Sequence, residues 1–250
     1  MLPVKHKLLV AYDGTNYFGW QKTKSGPSIE EALEKSLEQI LQEKITLQAA
    51  SRTDRGVHAK GQVVDFHSTK PITDYHKFLI GINALLPPDV AVLEAEEAPP
   101  GFHPTLNVNT KTYEYAICYG KVQLPQHRLY SWHFHYPLDI AMMRDASALL
   151  QGTHDFSAFC NQKNNEEYEN HIRTVHSILI EPIGHERLTI QVTGNHFLYK
   201  MVRNIAGTLA YVGCGKMTSE DVEKILQLHD RTLAGVTAPA QGLTLSHITY

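Results

Sequence analysis

Residues 51–62, SRTDRGVHAKGQ, place one carboxylate among cations: Asp54 stands between Arg52 and Arg55 and is followed closely by Gly56. A carboxylate kept ionised by neighbouring guanidinium groups can act as nucleophile or base on a bound substrate while those groups hold its phosphates. The same letters are also ordinary turn chemistry, since Asp near Gly favours a tight turn and flanking arginines are commonly solvated. Evidence elsewhere in the chain has to separate the two.

Two further settings are unusual. In NHFLYKMVRNIAGTL (195–209) the apolar residues Leu198, Met201, Val202, Ile205 and Leu209 fall on one helical face, yet Lys200 and Arg203 sit among them. An arginine enclosed between Val202 and Ile205 needs an anionic partner, and Asp54 is the natural one. In KTYEYAICY (111–119), Tyr113, Tyr115, Ile117 and Tyr119 share one strand face. Such a stripe more often packs a core, although aromatics beside a lysine also stack unpaired bases.

Other chemistries find little support. The pair His133 and His135 alternates on a strand, but no HExxH, cysteine partner or carboxylate at ligand spacing joins it. Neither GxSxG, GxGxxG nor a Walker loop occurs, so no metal, nucleophilic serine or nucleotide cofactor is expected. Cys118, Cys160 and Cys214 lie far apart without a CxxC, which suits a reducing compartment. The N-terminus lacks the features of a signal peptide and no stretch approaches the roughly 18 apolar residues of a membrane span, so a cytoplasmic protein without membrane contact is expected.

The elements that must position these residues recur in one order. A strand at 6–12, a helix at 28–43 opened by a Ser28/Glu31 capping box, strands near 45–50 and at 61–68, a helix at 74–86 and a strand at 89–97 read as β-α-β-β-α-β. The stretch APPGFHP (98–104) then reads as a linker. Beyond it come a strand at 111–119, a helix at 139–150, strands at 173–182 and 187–194, helices at 196–212 and 219–228, and a strand at 242–250. The expected fold is α+β, with two tandem split βαβ (ferredoxin-like) units, 1–104 and 105–250. Their antiparallel sheets are expected to join into one, helices on one side and an RNA-binding cleft on the other. A net charge of −3 announces no polyanionic partner globally, but the acids concentrate in runs such as 30–43 and 93–100, leaving the remaining surface more basic.

The segment SRTDRGVHAKGQVVDF resembles the Arg-Thr-Asp-x-Gly-Val-His-Ala signature of the tRNA pseudouridine synthase A family. YDGTNYFGWQ (12–21), NALLPPDV (83–90), KTYEYAI (111–117), GTHDFSAFC (152–160), FLYKMVRNIAGTL (197–209) and APAQGLTL (238–245) are similar to that family's further blocks, in the same order. One departure is Ser51, where the family more usually has Gly. The resemblance implies a cofactor-free isomerase that converts uridine to pseudouridine at positions 38, 39 and 40 of the tRNA anticodon arm, acting as a homodimer on RNA and not DNA. It maps the catalytic aspartate to Asp54, the preceding arginine to Arg52, the tyrosine beneath the uracil to Tyr113 and the arginine paired with the aspartate to Arg203. Attack on C1′, attack on C6 and a glycal route would all use the one carboxylate.

Overall fold

A computed structural model describes residues 3–162 and 168–250. The acidic run that precedes Tyr168 lies outside them. Strand β1 (Val4–Tyr12) alternates as its sequence demands, burying His6, Leu8, Val10 and Tyr12 on one face. It is followed by α1 (Ile29–Leu41), β2 (Gln48–Ala49), β3 (His58–Ser68), α2 (Tyr75–Leu85) and β4 (Val90–Glu97). Then come β5 (Thr110–Tyr119), β6 (Trp132–Phe134), α3 (Ile140–Leu149), β7 (Gly152–Asp155), β8 (Ile172–Gly184), β9 (Arg187–Gly194), α4 (Met201–Gly213), α5 (Ser219–Leu228) and β10 (Leu243–Thr249). The architecture is mixed α+β.

The chain divides into two units, Met1–Asn109 with Thr244–Tyr250, and Thr110–Leu243. In the first, β1 runs antiparallel between β4 and β3, with Leu8 opposite Ala95 and Val64. The short β2 also pairs with β3, and β10 joins β3 in parallel at Thr244↔His58 and Leu245↔Ala59. In the second, β5, β9, β8 and β7 form an antiparallel series, with β6 parallel to β5. Tyr113, Tyr115 and Ile117 lie opposite Val192, Ile190 and Leu188, a buried apolar face.

Helix starts follow local chemistry. Ser28 Oγ accepts from the Glu31 N–H at 3.2 Å, whereas the Glu31 carboxylate pairs with Lys35 at 2.7 Å, so half of the expected box forms. The complete box belongs to α5, between Thr218 and Asp221. Ile29, Leu33 and Leu37 of α1 and Phe78 and Ile82 of α2 are the buried residues that the 3.6-residue period anticipates.

Three local expectations change. The 98–104 stretch does not hang free: Gly101 takes φ +75° and turns the chain back, so that Phe102 packs with Ala50, Val63 and Ala98 while its carbonyl accepts from Lys5 Nζ. Helix α4 starts at Met201, five residues later than its apolar period suggests, because Lys200 sits in the left-handed region at φ +61°. Strands β6 and β7, of three and four residues, are too short to show a period.

Candidate active site

The loop carrying Asp54 is pinned through its backbone at nearly every step. Upstream, the fully buried Gln62 side chain brackets Ser51, its Oε1 accepting from the Ser51 N–H at 3.2 Å and its Nε2 donating to the Ser51 carbonyl at 2.6 Å. Thr53 is held twice: its carbonyl accepts from the Trp20 N–H at 3.0 Å, and its hydroxyl bonds Tyr12 OH at 2.7 Å. The Val57 N–H closes a turn onto the Asp54 carbonyl at 3.1 Å, with Gly56 at φ +77° in the third position, as a type II turn requires. Such anchoring fixes the direction in which the Asp54 carboxylate is presented.

The brace comes from residues 12–21, a block whose role the sequence alone did not disclose. Gly19, at φ +104°, lies so close that a Cβ there would stand 2.8 Å from the Thr53 carbonyl oxygen. A Cβ on Gly14 would collide with the Val57 carbonyl. The Gly14 N–H donates to His58 Nδ1 at 3.1 Å. Asp13 Oδ1, which accepts from the Thr15 N–H and hydroxyl, also lies 3.1 Å from His58 Nδ1. The Arg55 guanidinium lies over the Phe18 ring at 4.1 Å, and Arg52 is exposed. Finally, the carbonyls of Gly19 and Trp20 accept from Ile29 and Glu30, tying the brace to the first turn of α1.

Arg52 and Asp54 belong to the first unit, Tyr113 and Arg203 to the second. Tyr113 is 7% exposed, and its ring meets Phe197 edge-on at 5.4 Å. Lys111, two residues earlier on the same face of β5, is buried as well, and burial lowers its pKa to about 8. His196 is pushed down first by burial, then by the charges of Lys111 and Arg173.

Arg203 stands on α4 and is fixed at both ends of its residue. Its Nε donates to the Ala238 carbonyl at 2.7 Å, and its own carbonyl accepts from the Ala238 N–H at 3.2 Å. The 234–239 segment therefore lies as a strap along α4. Gly207 permits this, since a Cβ there would collide with the Val236 carbonyl. At the strap's end Tyr115 OH donates to the Pro239 carbonyl at 2.7 Å, and Gly242 leaves room for the Tyr115 ring.

Several cations are engaged within the protein. Lys22 pairs with the buried Glu34 carboxylate at 2.5 Å, a bond that raises the lysine's pKa. Lys216 lies over the rings of Tyr136 and Tyr211 at 4.4 and 5.0 Å. His133 Nε2 lies 3.1 Å from the Gly120 carbonyl, and its ring is 4.1 Å from that of His135. Among the described residues no three His, Cys, Asp or Glu side chains gather as a metal ion would need, and no helix is long and apolar enough to cross a membrane.

The family profile for tRNA pseudouridine synthase matches residues 8–105 and 146–250, a span that includes Asp54, its brace, Arg203 and the strap. The chain belongs to the tRNA pseudouridine synthase family. Within that family it is 58% identical over 98% of its length to tRNA pseudouridine synthase A 2 of Protochlamydia amoebophila (strain UWE25), covering 93% of that protein. It is 43% identical to tRNA pseudouridine synthase A of Thermoanaerobacter sp. (strain X514), over 97% of this chain and 98% of the relative. The corresponding protein of Geobacter sulfurreducens is also 43% identical, with 98% of each chain covered.

Proposed function

We propose that this chain isomerises uridine to pseudouridine in tRNA, at positions 38, 39 and 40 of the anticodon arm, with Asp54 as the catalytic carboxylate and no cofactor. It would do so in the cytoplasm, as a homodimer. The observation that carries the reading is the Asp54 loop, whose backbone is held by Gln62 and Trp20 and whose Thr53 hydroxyl is held by Tyr12, so that one carboxylate is presented in a set direction. Family membership supplies the reaction.

That reaction breaks the N1–C1′ glycosidic bond, turns the uracil, and joins C5 to C1′. The proton on C5 leaves and N1 gains one, so the product is an isomer and neither oxidant nor metal is needed. Asp54 serves as the nucleophile or base in that exchange. Arg52, exposed beside it, fills the space left when the target nucleotide leaves its stack, offsetting an extrusion that costs a few kcal/mol. Tyr113 stacks beneath the uracil, and its hydroxyl takes the C5 proton while passing its own to solvent. Arg203 is the cation that pairs with the carboxylate.

An RNA-binding module without activity would have no use for Asp54, so one substitution separates the readings. Asp54→Asn keeps the size of the side chain and removes its charge. It should abolish tritium release from C5-labelled uridine in an anticodon-arm substrate while leaving tRNA binding nearly intact. Multiple turnovers by that variant would refute the proposal.

A further inference from the structure

We infer that Arg231 is a positioning residue for Arg203, acting through the strap that runs along α4; the inference rests on the role proposed above for Arg203. Two adjacent rungs join helix and strap. On one, Arg203 and Ala238 exchange the two hydrogen bonds already described. On the next stand their immediate neighbours, Asn204 and Thr237, with the Thr237 hydroxyl donating to Asn204 Oδ1 at 2.7 Å. Arg231 clasps this second rung. Its NH2 group donates to Asn204 Oδ1 and to Thr237 Oγ1, each at 2.9 Å, and NH1 donates to the Gly235 carbonyl at 3.0 Å.

The rest of the rung is saturated. Asn204 is fully buried, and its Nδ2 donates to the Phe159 carbonyl at 2.6 Å and to Asn161 Oδ1 at 2.8 Å. With two donors and two accepted bonds its amide has no freedom to flip. Thr208, one turn further along α4, accepts from the Gly235 N–H at 3.0 Å and donates to the Asn204 carbonyl at 2.8 Å. All the acceptors described for Arg231 are neutral, and burial pushes its pKa down. A half-buried cation without a carboxylate is a poor way to gain stability, whereas a planar fork that spans helix and strap is a good way to fix distance and angle. Lysine could bring the charge but not the fork.

The test is a double-mutant cycle on the full chain, with an unmodified tRNA transcript as substrate and tritium release as the readout. Arg231→Lys should lower kcat by about tenfold to a hundredfold, the scale on which ångström-level misplacement acts, with KM unchanged. In an Arg203→Met background the same substitution should bring no further loss, because there is no longer a guanidinium to position. Equal losses in both backgrounds, or no loss in the wild-type background, would overturn the inference while leaving the role of Arg203 standing. Full activity in Arg203→Met alone would overturn both. Should Arg231→Lys not fold, Thr237→Val, which keeps the shape of the side chain and cuts the same rung, carries the cycle with the same expected and opposing results.

Discussion

Arg203 and Ala238 are bonded to each other in both directions, side-chain Nε to carbonyl at 2.7 Å and main-chain N–H to carbonyl at 3.2 Å. A strand partner would make the second bond, but only an arginine can make the first as well. The guanidinium thereby leaves the helix in a fixed direction.

Gly207 is the residue that lets the strap approach. In a helix interior alanine is favoured over glycine by about 1 kcal/mol, so an unconstrained position would gain from the exchange. Here the new Cβ would collide with the Val236 carbonyl, which is backbone and cannot swing aside. Gly207→Ala should lower stability by about 1–3 kcal/mol, as overpacking does. Urea unfolding decides it: a gain in stability would mean that the strap moves freely.

Tyr113→Phe separates ring from hydroxyl. The ring stays edge-on to Phe197, so folding stability should change little. Turnover should fall much more than tRNA affinity, since stacking survives and the hydroxyl proposed to take the C5 proton is gone. Single-turnover kinetics at saturating enzyme would show it. Unchanged turnover would remove that hydroxyl from the mechanism.

Lys111 makes stability depend on alkaline pH. Burial lowers its folded-state pKa from 10.5 to about 8, so between those values the unfolded chain holds more protons than the folded one. Stability must then rise with pH across that window, and below pH 8 the full penalty applies. With 10.5 − 8 = 2.5 pH units, the span is at most roughly 3 kcal/mol. In Lys111→Met this contribution to the slope should vanish, as measured by urea unfolding at pH 7 and pH 10. Parallel pH profiles for wild type and variant would contradict it.

Binding of tRNA should weaken steeply with salt despite the net charge of −3. The lysines are not equivalent, however. Lys60 is exposed on β3, and Lys60→Ala should reduce the slope of log K against log salt by about 1, as for one lost phosphate contact. Lys22 is committed to Glu34, and Lys22→Ala should leave the slope as it is. Filter binding at several salt concentrations compares the two.

Most elements were legible because their signals are local. The Ser28 cap, the alternation of β1 and the apolar face of α1 each need only a few consecutive residues. Asp54 followed by a glycine at positive φ was likewise readable as a turn. Helix α4 was drawn too long because Phe197 and Leu198 continue its apolar period, although Phe197 packs on the Tyr113 ring and the helix begins only after Lys200. The 98–104 stretch was legible as a break in the pattern, but proline and glycine mark a bend without saying whether the chain leaves or returns, and Phe102 brings it back. Nothing in the sequence joined Asn161, Asn204, Arg231 and Thr237, four polar residues of ordinary surface type that meet only in three dimensions.

The Gln62 clamp bears on how this chain tolerates change. Gln62 grips the Ser51 N–H and carbonyl, of which proline alone lacks the N–H. Ser51 is also absent from the positions at positive φ, so glycine has no conformational privilege there. The clamp would hold the backbone of a glycine at position 51 as it holds that of the serine. The restraint lies at residue 62, where a side chain of another length would release both bonds at once.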